Sequence, residues 1–127
     1  MKSSRAPKLI QEFDGNGLIK SEYFELDGVK NGVQRRWHED GSIFSECTFI
    51  HGKLHGIARL WTAAGVCYIE ENFEHGVRHG EYTSRWNSGG LKEHGFYVNG
   101  KRQPGYKYYR EDGSLWCESP PSLDSSE

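Results

Sequence analysis

An all-β fold, a single-layer antiparallel meander of about five 24-residue β-hairpin repeats, is the prediction from this 127-residue chain, and three observations make it. The glycines recur in register: Gly28, Gly52, Gly76 and Gly100 stand 24 residues apart, Gly32, Gly56 and Gly80 follow four behind with Pro104 in the fourth place, and Gly17, Gly41, Gly65, Gly89 and Gly113 form a third series. Such self-similarity at a fixed interval marks a repeat architecture. The large residues keep the same interval, as in Phe13, Trp37, Trp61 and Tyr109, in Ile19, Ile43, Cys67, Leu91 and Leu115, and in Phe49, Phe73 and Tyr97. Finally, the 6 to 8 residues between glycines are rich in aromatic and β-branched types, which favour strands. Each glycine inside a helix would cost about 1 kcal/mol relative to alanine, so essentially no helix is expected.

Residues 1–12 read as a partly irregular N-terminal segment, residues 13–118 as the repeat domain, and residues 119–127 as a polar tail in which Pro120 and Pro121 stop a ladder. The stretch from Glu12 to Tyr23 has a superficial likeness to a calcium loop. With Gly17 as the central glycine, however, the closing ligand falls on Tyr23 while Glu22 is out of step. In the first full repeat the loop is expected to be Glu39-Asp40-Gly41, a type I turn with glycine in the bulge, which pairs Trp37 with Ile43. That register predicts Val33, Trp37, Ile43, Cys47 and Phe49 on one face. The next repeat aligns Ile57, Trp61, Cys67, Ile69 and Phe73. In the third, Arg85 stands where an aromatic is due and Trp86 comes one residue late, which predicts a bulge or slip.

Sixteen basic against eighteen acidic residues, a net charge of -2, give no electrostatic attraction for a phosphate backbone or an anionic membrane, so neither nucleic acid nor membrane is expected as a partner. With no secretory h-region and no apolar run of bilayer length, a cytoplasmic protein is expected. Three cysteines without a CxxC pair argue for reduced thiols.

The chemistry reads as structural. His51 with His55, and His75 with His79, have an H-x3-H spacing, yet each pair straddles a turn and successive repeats lie nearly 10 Å apart, so these are turn histidines and no metal is expected. No GxSxG elbow, GxGxxG loop or Walker sequence is present, and no catalytic residue and no cofactor is expected. The recurrent Glu22, Glu46, Glu70 and Glu118 read as repeat-borne partners for basic neighbours or turn amides.

The spelling of Gly52 to Phe73, GKxxGxxxxWxxxGxxxxExxF, resembles the MORN repeat, and more closely its variant form found in small bacterial antitoxin-like proteins. The resemblance covers about residues 13 to 118, with Arg85, His94 and Pro104 as departures. It implies a MORN-like solenoid that acts as a non-catalytic protein-protein interaction or assembly scaffold. The alternative it implies is an antitoxin or immunity protein that binds and neutralises a toxin, and a phospholipid-binding module ranks behind both.

The second sheet face, by the same parity, carries Arg36, Phe44, Glu46, Leu60, Tyr68, Glu70, Tyr82, Tyr108, Trp116 and Glu118. Of these Arg36, Phe44, Leu60, Tyr68, Tyr82, Tyr108 and Trp116 are the expected partner-binding residues, because tyrosine, tryptophan and arginine are enriched at interfaces. The expected partner is another protein, a toxin or a structural assembly among the options, or a second copy of the chain.

Overall fold

The computed structural model describes residues 6–119, all of whose regular structure is one antiparallel sheet. In chain order its strands are β1 (Lys8–Phe13), β2 (Ile19–Leu26), β3 (Val29–Lys30), β4 (Gly32–Trp37), β5 (Ile43–Ile50), β6 (Lys53–Leu54), β7 (Gly56–Trp61), β8 (Cys67–Glu74), β9 (Val77–Arg85), β10 (Leu91–Val98), β11 (Lys101–Arg102), β12 (Lys107–Tyr109) and β13 (Leu115–Glu118). Ten strands run side by side as β1-β2-β4-β5-β7-β8-β9-β10-β12-β13, while the two-residue β3, β6 and β11 pair back on β2, β5 and β10. The sheet starts at Lys8, within the segment expected to be partly irregular, because Lys8 to Phe13 pairs with β2. Of the tail expected from residue 119, only Ser119 lies among the described residues.

Two kinds of turn alternate. Within a hairpin the loop has three residues: the His38 nitrogen donates to the Ser42 oxygen, the Gly41 nitrogen donates to the His38 oxygen, and Gly41 has φ 92°. The expected Glu39-Asp40-Gly41 loop and the Trp37–Ile43 pair are therefore present. The Asp40 carboxylate closes it by accepting from the Ser42 nitrogen and hydroxyl, which hold its pKa below the usual carboxylate range. Between hairpins the turn has two residues, both at positive φ: Asp27-Gly28, His51-Gly52, His75-Gly76 and Asn99-Gly100, with 50° to 52° at the first position and 82° to 85° at the second. This is type I′ geometry, whose twist matches the flanking strands.

The arrangement of faces corrects the sequence reading. After the Trp37–Ile43 pair, the next residue of β4, Arg36, is opposite Ser45, so Phe44 is an extra residue, a bulge. Pairing then continues Arg35–Glu46, Gln34–Cys47 and Gly32–Phe49. Cys47 and Phe49 consequently lie on the face opposite Val33 and Trp37, and Glu46 moves to the face of Val33, Arg35 and Trp37. The same shift follows Phe13, Trp61, Arg85 and Tyr109, which makes Lys20, Tyr68, Lys92 and Trp116 the corresponding extra residues. No additional slip occurs in the third repeat. Arg85 pairs with Leu91, and the Trp86 nitrogen donates to the Gly90 oxygen as His38 does to Ser42. Trp86 simply stands in the place of His38.

A single layer buries little. Tyr106 is the one large apolar side chain among the described residues that is fully enclosed, at 1% exposure, and the buried polar residues are Gln34, Ser45 and Ser84. By register all four lie on the face that carries Phe49, Phe73 and Tyr97.

Candidate partner-binding face

The two faces divide the chemistry. On the ion face a polar row crosses the sheet at mid-height. Gln11 donates to Glu22 at 3.0 Å, Arg35 lies 3.6 Å from Glu22 and donates to Glu46 at 2.9 Å, and Arg59 donates to Glu70 at 2.7 Å. Past Thr83 the row continues with His94, 2.7 Å from Glu81, and with Lys107, 3.9 Å from Glu118. Acids and bases thus answer one another along the row. The recurrent glutamates are partners for basic neighbours, as their copying once per repeat implied. These pairs are half exposed, so each is worth about 0–1 kcal/mol.

On the opposite, ring face, cations lie on aromatic rings. Lys30 Nζ sits 4.8 Å from the Tyr23 centroid and 5.1 Å from that of Phe49, and the Arg78 guanidinium lies 5.6 Å from Tyr97 while donating to Glu71 at 2.8 Å. Arg102 covers Tyr106 at 4.2 Å and donates to the Tyr108 hydroxyl. Tyr82, Tyr97, Tyr106 and Tyr108 form one cluster, with neighbouring centroids 5.3 to 6.2 Å apart. Tyr106 can lie flat on the sheet because Gly95 is beneath it; a Cβ there would come within 2.1 Å of the ring. Its hydroxyl donates to Glu93 at 2.8 Å, and burial, reinforced by that bond, raises its pKa far above the ordinary tyrosine value.

Beside this cluster an open cleft of about 270 Å³ is lined by Trp86, Lys92, Glu93, Tyr108, Tyr109 and Trp116. The bulges build it. Lys92 rests 4.7 Å from the Trp86 centroid, and Trp116 meets Tyr108 edge-on at 6.3 Å. At the matching place two hairpins earlier, Phe44 packs against His38 at 5.0 Å, and His38 Nε2 bonds to the Trp61 carbonyl at 2.8 Å, stitching neighbouring hairpins. Trp86 Nε1 is buried without an acceptor among the described residues, so that stitch is missing where the cleft opens. Trp116 is 62% exposed.

Of the sequence-predicted residues, Arg36, Leu60 and Tyr108 share one row of the ring face and Tyr82 occupies the next. Phe44, Tyr68 and Trp116 are bulge residues, and the contacts of Phe44 with His38 and of Trp116 with Tyr108 turn the first and last toward that face. Glu46, Glu70 and Glu118, expected on the same side, stand on the ion face. Sequence reasoning missed Tyr106, Arg102 and Trp86 as members of the cluster and cleft. For Tyr106 the signal was masked by Pro104, which breaks the glycine series.

The other groups singled out for chemistry have structural partners. His51 and His75 are first residues of turns, while His55 Nδ1 and His79 Nδ1 accept from the nitrogens of His75 and Asn99. Asp14, in the calcium-like stretch, accepts from the nitrogens of Asn16 and Leu18. Burial raises the thiol pKa values of Cys47 and Cys67. No helix among the described residues is long and apolar enough to cross a membrane.

A family model described as MORN repeat variant matches residues 30–51 and 78–99. The matches begin 48 residues apart, two intervals of 24, and the hairpin between them has the same loop, bulge and turn. Among curated proteins no match is found.

Proposed function

We propose, on the premise that this chain is a MORN-repeat protein, that it is a non-catalytic scaffold which binds another protein through the C-terminal half of its ring face. The observation that carries this reading is the aromatic cleft. Trp86, Tyr108, Tyr109 and Trp116 surround it, and an indole 62% exposed at its lip gives a partner a large, rigid, amphipathic anchor. The ion face supports the reading by contrast, because its charges are already answered within the chain. No reaction is assigned: Glu22, Glu46, Glu70 and Glu118 face basic side chains, and His55 and His79 accept from turn amides.

A photo-crosslinking residue placed at Trp116, at Lys92 and, as a control, at Glu46 tests the site. Cross-links to one partner at Trp116 and Lys92 but not at Glu46 support it, and the pair Lys92→Ala with Trp116→Ala should weaken capture of that partner while leaving the far-UV CD unchanged. Undiminished capture would move the site off this face. A toxin is one class of partner the reading admits, and rescue of toxin-induced growth arrest by co-expression would identify it.

A further inference from the structure

We propose that the chain forms a closed two-fold dimer through the free edge of β1, laid antiparallel to β1 of a second copy and centred on Ile10. Among the described residues β1 has β2 as its neighbour on one side and nothing on the other. The Asp14 nitrogen bonds to the Leu18 oxygen, and main-chain bonding alternates along a strand. Asp14, Glu12, Ile10 and Lys8 therefore bond inward to β2, leaving the amides and carbonyls of Leu9 and Gln11 directed outward. An open edge of this kind is a template for another strand.

The sequence of β1, KLIQEF, is self-complementary about its third residue. A two-fold axis through Ile10, perpendicular to the sheet, sets Leu9 opposite the partner's Gln11, so the outward main-chain groups meet in hydrogen-bonded pairs. It sets Ile10 against the partner's Ile10, and it sets Lys8 against the partner's Glu12 twice over, both on the ring face. Lys8 has no ion pair among the described residues, and Glu12 uses Oε1 to accept from the Ser21 hydroxyl at 2.9 Å. The other edge offers no such match. β13 has four residues, and about Cys117 it would set Glu118 against the partner's Trp116. Joining β13 to β1 would set Glu118 against Gln11 and Cys117 against Glu12, without opposite charges, and would run on as an open filament instead of closing. Because strand addition leaves both faces uncovered, the dimer is independent of the cleft reading.

Sedimentation equilibrium of the full chain tests it. The wild type should self-associate with concentration. Lys8→Glu and Glu12→Lys should each weaken association by on the order of tenfold, since opposite charges become like charges in both symmetric pairs. Mixing these two variants should restore it, because each then meets its complement, as should the double swap within one chain. Leu9→Pro should give a monomer with an unchanged far-UV CD, since that nitrogen makes no bond to β2. A wild type that stays monomeric at the highest concentration would overturn the proposal. So would single variants that associate like the wild type, or a mixture that associates no better than its components.

Discussion

Among the described glycines Gly95 leaves the least room, with a would-be Cβ 2.1 Å from the Tyr106 ring. Gly95→Ala must push the ring off the sheet, and overpacking of this kind costs about 1–3 kcal/mol. A melting temperature unchanged by Gly95→Ala would show that the ring does not rest there. The same tyrosine sets an alkaline limit. Burial first, and the bond to Glu93 second, raise its pKa above the ordinary value, and burial raises that of Tyr82. A phenol that resists ionisation when folded contributes stability that is complete below the unfolded pKa of about 10 and is lost as pH rises beyond it. Melting temperature should therefore fall above about pH 10, with phenolate absorbance at 295 nm for these two groups appearing together with loss of the β spectrum. Normal titration of every tyrosine in the folded chain would contradict this.

Elements are held to one another by a bond repeated at the turn edge. The nitrogen of His51 donates to Asn31 Oδ1, that of His75 to His55 Nδ1, and that of Asn99 to His79 Nδ1. Since asparagine already does this work at position 31, His55→Asn should be near neutral, whereas His55→Ala should cost about 1 kcal/mol in urea unfolding. Equal effects of the two would sever the link between the ring nitrogen and the turn. At position 75 a β-branched residue is the sharper test. His75→Val must adopt φ near 51° and should lose about 1–2 kcal/mol, while His75→Asn should not. Turns and loops of this sort were legible in the sequence because a glycine marks each of them at the same interval. The bulge was not. Its residues are Lys20, Phe44, Tyr68, Lys92 and Trp116, of no common type and at ordinary negative φ, so nothing in composition sets them apart. Yet one extra residue reverses the parity of everything beyond it, which is why Glu46 and Phe49 exchanged faces relative to expectation. β1 escaped notice for a related reason: Lys8 and Glu12 break its apolar alternation, and no glycine turn precedes it.

For the molecule as a whole, stability is spread across neighbouring hairpins, because each packs on the next and, among the described residues, no central core encloses them. Opening should be graded, and hydrogen exchange should show it. Amides of β7, β8 and β9, flanked on both sides, should exchange slowest, while those of β1 and β13 exchange fastest. Uniform protection across all ten strands would signal a single cooperative unit instead. The aromatic cleft also belongs to this scale, since it needs Trp86 from one hairpin and Tyr109 and Trp116 from the next, and only the bulges turn Lys92 and Trp116 toward it. From the sequence the large residues could be listed; their gathering required knowing which way the parity ran.

The turn-edge bond carries a geometric consequence. Every copy is clamped to its predecessor by the same main-chain grip, Gly52 to Lys30, Gly76 to Leu54 and Gly100 to Arg78, each at 2.8 Å. The main chain thereby sets the same pitch at each step, whether Asn31, His55 or His79 supplies the side-chain bond beside it. Gain or loss of one 24-residue unit would lengthen or shorten the platform by a quantised step of about 10 Å and turn what lies beyond it by the sheet's own twist, so the molecule is built like a ruler whose graduations can be re-inscribed one at a time.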